Sequence, residues 1–184
     1  MMTPEEARSL MHEWVESPSL RTHMECVAAC MSSFCSDDEV ERNRWTVTGL
    51  LHDFDYEKHP TQEEHPFKGI EYLQEHTDVD EDIINAILGH ATYSGVARES
   101  QMAKTLFAVD ELAGFIVACA LVRPTGLEGM AAKSVRKKLK NKNFAAAVSR
   151  EDINTGVEEL GVELSDHINQ CIDAIRSSSI DIHS

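Results

Sequence analysis

Apolar residues recur at three- and four-residue spacing along almost the whole chain, behind helix-starting signals, and no segment alternates with period two. That combination leaves few options besides an all-α bundle. Thr3-Pro4-Glu5-Glu6 reads as a capping box with proline at the first helical position, ahead of Leu10, Met11, Trp14 and Val15. Ser17-Pro18 opens a second helix carrying Leu20, Met24, Val27 and Met31. Asp37-Asp38-Glu39 places acidic groups at the positive end of a third, which runs through Trp45, Val47, Leu50 and Leu51 to His52-Asp53. A polar loop, 54–64, follows, and the sequence predicts that a short helix begins at His65-Pro66 and passes through Ile70 and Leu73. Asp80 caps the next, which buries Ile83, Ile84, Ile87 and Leu88 and ends at Gly89-His90. Beyond a loop at Tyr93-Ser94-Gly95, a long apolar helix spans about 101–122. Past Pro124 come a basic run, 133–142, a cap at Ser149 to Asp152, and a last helix over about 165–175. Without repeats or low-complexity linkers, 1–184 reads as one domain whose residues 123–184 form a C-terminal helical extension.

Charge narrows the partners. Seventeen Lys and Arg face 32 Asp and Glu, a formal net charge of −15. Such a surface repels nucleic-acid backbones and anionic membranes, so neither is expected as a partner, while a local basic pocket for a small anion remains compatible with it. The longest apolar stretch, 113–122, is half of the ~20 residues a spanning helix needs, and the first residues lack the features of a signal peptide; the expectation is a cytoplasmic protein. Cys26, Cys30, Cys35, Cys119 and Cys171 form no CxxC pair and mostly occupy apolar helical positions, where a reduced thiol acts as a small hydrophobe.

The chemistry sits in imidazoles and carboxylates placed at helix ends and inside apolar helices. His23 lies beside core-facing residues, His52-Asp53 follows Thr48-Gly49-Leu50-Leu51, and Asp110 is embedded in Leu106-Phe107-Ala108-Val109 and Leu112. A buried carboxylate is strongly disfavoured unless it is paired or binds a cation. Histidine and aspartate together suit divalent metals, imidazole as a neutral donor and carboxylate as a charge-neutralising or bridging one. Neighbours on a helix are about 100° apart, which predicts that Asp110 faces such a site and Glu111 does not.

In the order H…HD…H…H…D, the residues His23, His52-Asp53, His65, His90 and Asp110 resemble the HD-domain superfamily of metal-dependent phosphohydrolases, over roughly 17–122. The resemblance implies a compact HD-type helical bundle. It also implies that His23, His52, Asp53 and Asp110 ligate one divalent ion, and that His65 and His90 ligate a second, bridged to the first by Asp53. One or two ions among Mn, Fe, Mg, Zn, Ni and Co fit that donor set. His12, His59, His76, His167 and His183 match no motif position and read as surface or loop residues. Asp55 and Tyr56 stand where many phosphodiesterase members carry glycine and lysine, and Tyr56 where nucleotide- and alarmone-cleaving members often carry glutamate; the chain resembles none of those subgroups closely.

The expected activity is hydrolysis of a small phosphate ester or anhydride by a metal-activated water. Asp53 would bridge the ions and Asp55 position the water. Lys68, Arg98 and Lys104, near the motif residues in sequence, would grip a small phosphorylated anion. The basic run 133–142 is either a solvated helix face or a wall that folds over the site and draws in the substrate. Two alternatives remain from the same residues: a di-iron oxygenase cleaving a small polyol or phosphonate, and a non-catalytic sensor module holding a metal.

Overall fold

The computed structural model describes residues 1–183, which form nine α-helices and no strand. In chain order these are α1 (Pro4–Trp14), α2 (Pro18–Phe34), α3 (Glu39–Leu51), α4 (Phe67–His76), α5 (Glu81–His90), α6 (Gln101–Leu121), α7 (Ala132–Leu139), α8 (Arg150–Leu160) and α9 (Leu164–Ser177). A single 3-10 turn, Thr92–Ser94, follows α5 and ends at Gly95, whose φ of 73° is left-handed.

The starts obey the capping chemistry of the sequence. Thr3 and Glu6 form the reciprocal box of α1, and Ser17, Asp38, Asp80, Ser100 and Ser149 each accept a backbone N–H from the first turn they cap. One start differs from expectation: α4 begins at Phe67, with Pro66 as a cap lacking a side-chain bond. His65 is left in the preceding turn, its N–H donating to Thr61 O.

Helix α6 is the central element. Nearly every residue from Met102 to Ala120 that is not Lys104, Asp110, Glu111, Gly114, Val117 or Ala118 is buried, as befits a helix packed on several sides. It packs against α2, α5 and α8, and α2 packs against α3 and α9. The C-terminal helices therefore close over the motif-bearing ones. Two close approaches fix this: a Cβ at Gly49 would lie 2.5 Å from Ala28 Cα, and one at Gly156 would lie 2.7 Å from Ala108 Cα. Glycine lets α3 meet α2, and α8 meet α6, backbone to backbone.

The basic run becomes α7 and the loop after it. Ala132 and Val135 are buried and α7 packs on α9, while most of the basic side chains point outward. His167, expected at the surface, is instead buried, its Nε2 donating to Ala108 O across 2.8 Å; burial pushes its pKa down and keeps it neutral. Cys26, Cys30, Cys119 and Cys171 are buried free thiols and Cys35 is half-buried. Among the described residues no helix is long and apolar enough to cross a membrane.

Candidate metal centre

Four helices and one turn converge on a single point. His23 lies in the second turn of α2, His52 caps the C-terminus of α3 with Asp53 just beyond it, His90 is the last residue of α5, and Asp110 projects from α6. His65 enters from the turn ahead of α4. The close crossing of α2 and α3 at Gly49 brings His23 and His52 together, with ring centroids 5.2 Å apart.

The donor atoms fall into two groups that share Asp53: His23, His52 and Asp53, and Asp53, His65 and His90, with ligand atoms in each group within 4.8 Å of one another. Asp110 joins the first, its Oδ1 lying 3.0 Å from His23 Nε2 and 3.4 Å from His52 Nε2. Asp53 Oδ2 is 3.6 Å from His52 Nε2, while Oδ1 is 3.3 Å from His65 Nε2 and 3.2 Å from His90 Nε2. One carboxylate thus turns one oxygen to each group. Donor atoms about 3 Å apart are what a central ion with bonds of ~2.1 Å requires.

The proton inventory favours a cation. His52 Nδ1 faces Gly49 O at 2.8 Å, His90 Nδ1 faces Ile87 O, and His65 Nδ1 faces Asp55 Oδ1 at 2.7 Å. Those oxygens only accept, so each Nδ1 donates, and in the neutral ring each Nε2 keeps its lone pair pointed at the centre. His65 Nε2 and His90 Nε2 lie 3.3 Å apart. Lone pairs and carboxylates so close repel unless a proton or a metal ion lies among them. His52 Nε2 is fully buried and makes no hydrogen bond, an orphan that a metal would satisfy. The donor set and its anchored rings fit a divalent ion.

The titration behaviour follows from the same crowding. Burial works against charge on Asp53, yet His52 beside it and hydrogen bonds from His65 and His90 hold its carboxyl well below the usual range. Asp110 is likewise held far down, against its burial, by the charge of His52 and the hydrogen bond from His23. Burial lowers the pKa of His65, but hydrogen bonds to Asp53 and Asp55 outweigh it and raise the ring to about 9. His52 and His90 are raised as well, against their burial: the charges of Asp53 and Asp110 act on His52, and on His90 the Asp53 hydrogen bond comes before those charges. Protons and metal compete for the same nitrogens.

The site opens into a cleft of about 450 Å³. His23, Asp53, His65, His90 and Asp110 line it, with Tyr56 and Tyr93 beside them. Ala147, Val148 and Asp152 contribute to the lining from the C-terminal extension. Sequence reasoning did not single out Tyr56 or Tyr93 as cleft residues, nor Asp152, because a loop residue or a remote helix start carries no periodic signal of direction. Glu111, expected to face away, lines the cleft too and accepts the Ser149 N–H at 2.8 Å; burial, then the charge of Asp110, pushes it up to about 7.

Four expected roles find no support in the geometry. Asp55 is 1% exposed and both its oxygens are engaged, Oδ1 by His65 Nδ1 and Oδ2 by the Gly69 N–H at 2.7 Å, so it orients an imidazole and does not reach a water in the cleft. Lys68 is exposed and pairs with Glu71, one turn along α4. Arg98 forks onto Glu159, donates to Gly89 O and lies over the Phe107 ring. Lys104 shares a separate surface hollow with Arg98 and Glu159. Among the described residues, none that lines the metal cleft is Lys or Arg.

The HD-domain family model matches residues 20–114, a span that runs from three residues before His23 to four after Asp110. The chain belongs to the HD-domain family. No curated protein and no solved structure matches it. The HD-domain match runs from α2 into α6 and thus covers every residue of the two donor groups, whereas Ala147, Val148 and Asp152, which line the cleft from the start of α8 and the loop before it, lie outside it.

Proposed function

We propose that the chain is a metal-dependent phosphohydrolase that uses two divalent ions to cleave a small phosphate ester or anhydride. The observation that carries this reading is Asp53, whose two oxygens face two separate sets of imidazoles across 3.2–3.6 Å. Membership of the HD-domain family supports this reaction class. On this reading His23, His52, Asp53 and Asp110 hold one ion, and His65 and His90 hold the other with Asp53. When bound, ions of this kind neutralise phosphoryl oxygens and lower the pKa of bound water to about 7.

The residues of the chain supply the rest. Gly49 O, Ile87 O and Asp55 fix the ring orientations of His52, His90 and His65. Tyr93 lines the cleft while remaining exposed, and partial desolvation and then the charges of Asp53 and Asp55 push its phenol pKa up, so on this reading it offers a hydrogen-bond donor to a substrate oxygen. With no lysine or arginine in the lining, the cleft suits a substrate with one or two phosphoryl groups rather than a long polyphosphate, because side-chain cations are missing to offset further charge.

The test is phosphate release from a panel of small phosphate esters and anhydrides by protein loaded in turn with Mn, Fe, Mg, Zn, Ni or Co. Turnover that disappears in D53N supports the reading. A second reading, oxygen-dependent cleavage at a di-iron centre, is favoured by the same six-residue set. It requires iron as the purified metal, oxygen consumption with substrate, and no phosphate release from the panel.

A further inference from the structure

The basic run does not wall the metal cleft. It surrounds a hollow of its own, of about 550 Å³, between α7, the loop after it and α8. Arg136, Lys140, Lys142 and Arg150 line it over a floor that includes Leu139 and the buried Ile153. No aspartate or glutamate lines it, in a chain of net charge −15. None of the four cations pairs with a carboxylate among the described residues. Arg136 donates to Ser165 Oγ at 2.7 Å, and the Arg150 guanidinium donates to the carbonyls of Asn141, Phe144, Ala145 and Val148 and lies 4.7 Å from the centre of the Phe115 ring; these partners carry no formal negative charge. Arg150 Nε is buried and makes no hydrogen bond. Glu163, which feels the charge of Arg136, is engaged in capping α9 through the N–H groups of Ser165 and Asp166.

Four like charges around one concavity repel one another, and their proximity is offset when an anion sits among them. The apolar floor adds a second requirement, because a bare ion would leave it wet. We propose that this hollow is a binding site for a small organic phosphate with an apolar or planar body, distinct from the metal cleft. Its volume lies within the ~300–1,000 Å³ of small-molecule sites. Val148 lines both cavities, and the next residue, Ser149, is held by Glu111 of the metal cleft, so the two sites share the wall at the start of α8.

The experiment is a fluorescence titration of the full chain with naphthyl phosphate in chelator at physiological salt, with inorganic phosphate for comparison. Saturable one-to-one binding is expected, about tenfold tighter than inorganic phosphate. The variant K140E/K142E, altering two exposed lysines, should weaken it by about tenfold or more with an unchanged melting temperature. The variant H23Q, in the metal cleft, should leave it unchanged. Failure to saturate at millimolar probe overturns the proposal. So does binding that K140E/K142E leaves intact, or binding that depends on His23 rather than on the lysines.

Discussion

His65 Nδ1 donates to Asp55 Oδ1 across 2.7 Å, and the other oxygen of the same buried carboxylate takes the Gly69 N–H at 2.7 Å. Asp55 therefore holds the His65 ring by a bond that leaves Nε2 free to ligate, and ties it to the start of α4. In D55N the single amide oxygen cannot serve both donors. If it keeps the Gly69 N–H, the amide NH₂ faces His65 Nδ1 and favours the tautomer with its proton on Nε2. The expected outcome is a folded protein whose metal affinity at the His65/His90 site falls by ~10–100-fold, the usual effect of losing such a partner. Metal titration of wild type and variant checks it; equal affinities would remove Asp55 from the centre.

Protons can stand in for the metal at these nitrogens, which makes the effect of chelation depend on pH. His65 is raised to about 9 in the folded, metal-free chain, above the ~6.5 of an unfolded histidine. The stability this contributes is fully present below about 6.5 and is lost as pH rises through about 9. Metal binding, by contrast, strengthens as protons leave. Chelation should therefore lower the melting temperature more at pH 9 than at pH 6. A drop of about 5–10 °C at the higher pH corresponds to ~2.7 kcal/mol at a hundredfold excess over Kd and ~2–4 °C per kcal/mol for a chain of this length. Melting curves with and without chelator at the two pH values decide it, and a larger drop at pH 6 would contradict the proton-for-metal exchange.

Asp110 and Glu111 both line the cleft, yet only Asp110 reaches the imidazoles, with Oδ1 3.0 Å from His23 Nε2. D110A should lose the ion held with His23 and His52, and the activity with it. E111A should keep its metal and loosen the start of α8, since the Ser149 N–H loses its acceptor. Metal content separates the two variants. Equal metal loss in both would place Glu111 among the ligands.

Most of the bundle was legible in the sequence because caps and apolar periodicity are local. Ser17, Asp38, Asp80 and Ser149 announce their helices within four residues of themselves. The ligand pattern was legible for a related reason: each donor sits at a helix end or on a buried stripe, whose direction the helical period sets. Where direction depends on tertiary partners, nearness in sequence misled. Arg98 is captured by Glu159, sixty-one residues away, and Lys68 by its own helix neighbour Glu71. Asp55, two residues beyond Asp53, turns the other way to meet His65. His167 looked like a surface residue until Ala108 O and the Phe34 ring claimed it.

The account rests on two ions sharing Asp53, and counting metal per chain tests it most directly. Elemental analysis of the purified, metal-loaded wild type should give two ions per chain. The double variant H65A/H90A removes both imidazoles of one group and leaves His23, His52, Asp53 and Asp110 in place. It should remain folded and give one. A single ion per chain in the wild type, unchanged in H65A/H90A, would contradict the shared-carboxylate centre and the di-iron reading with it.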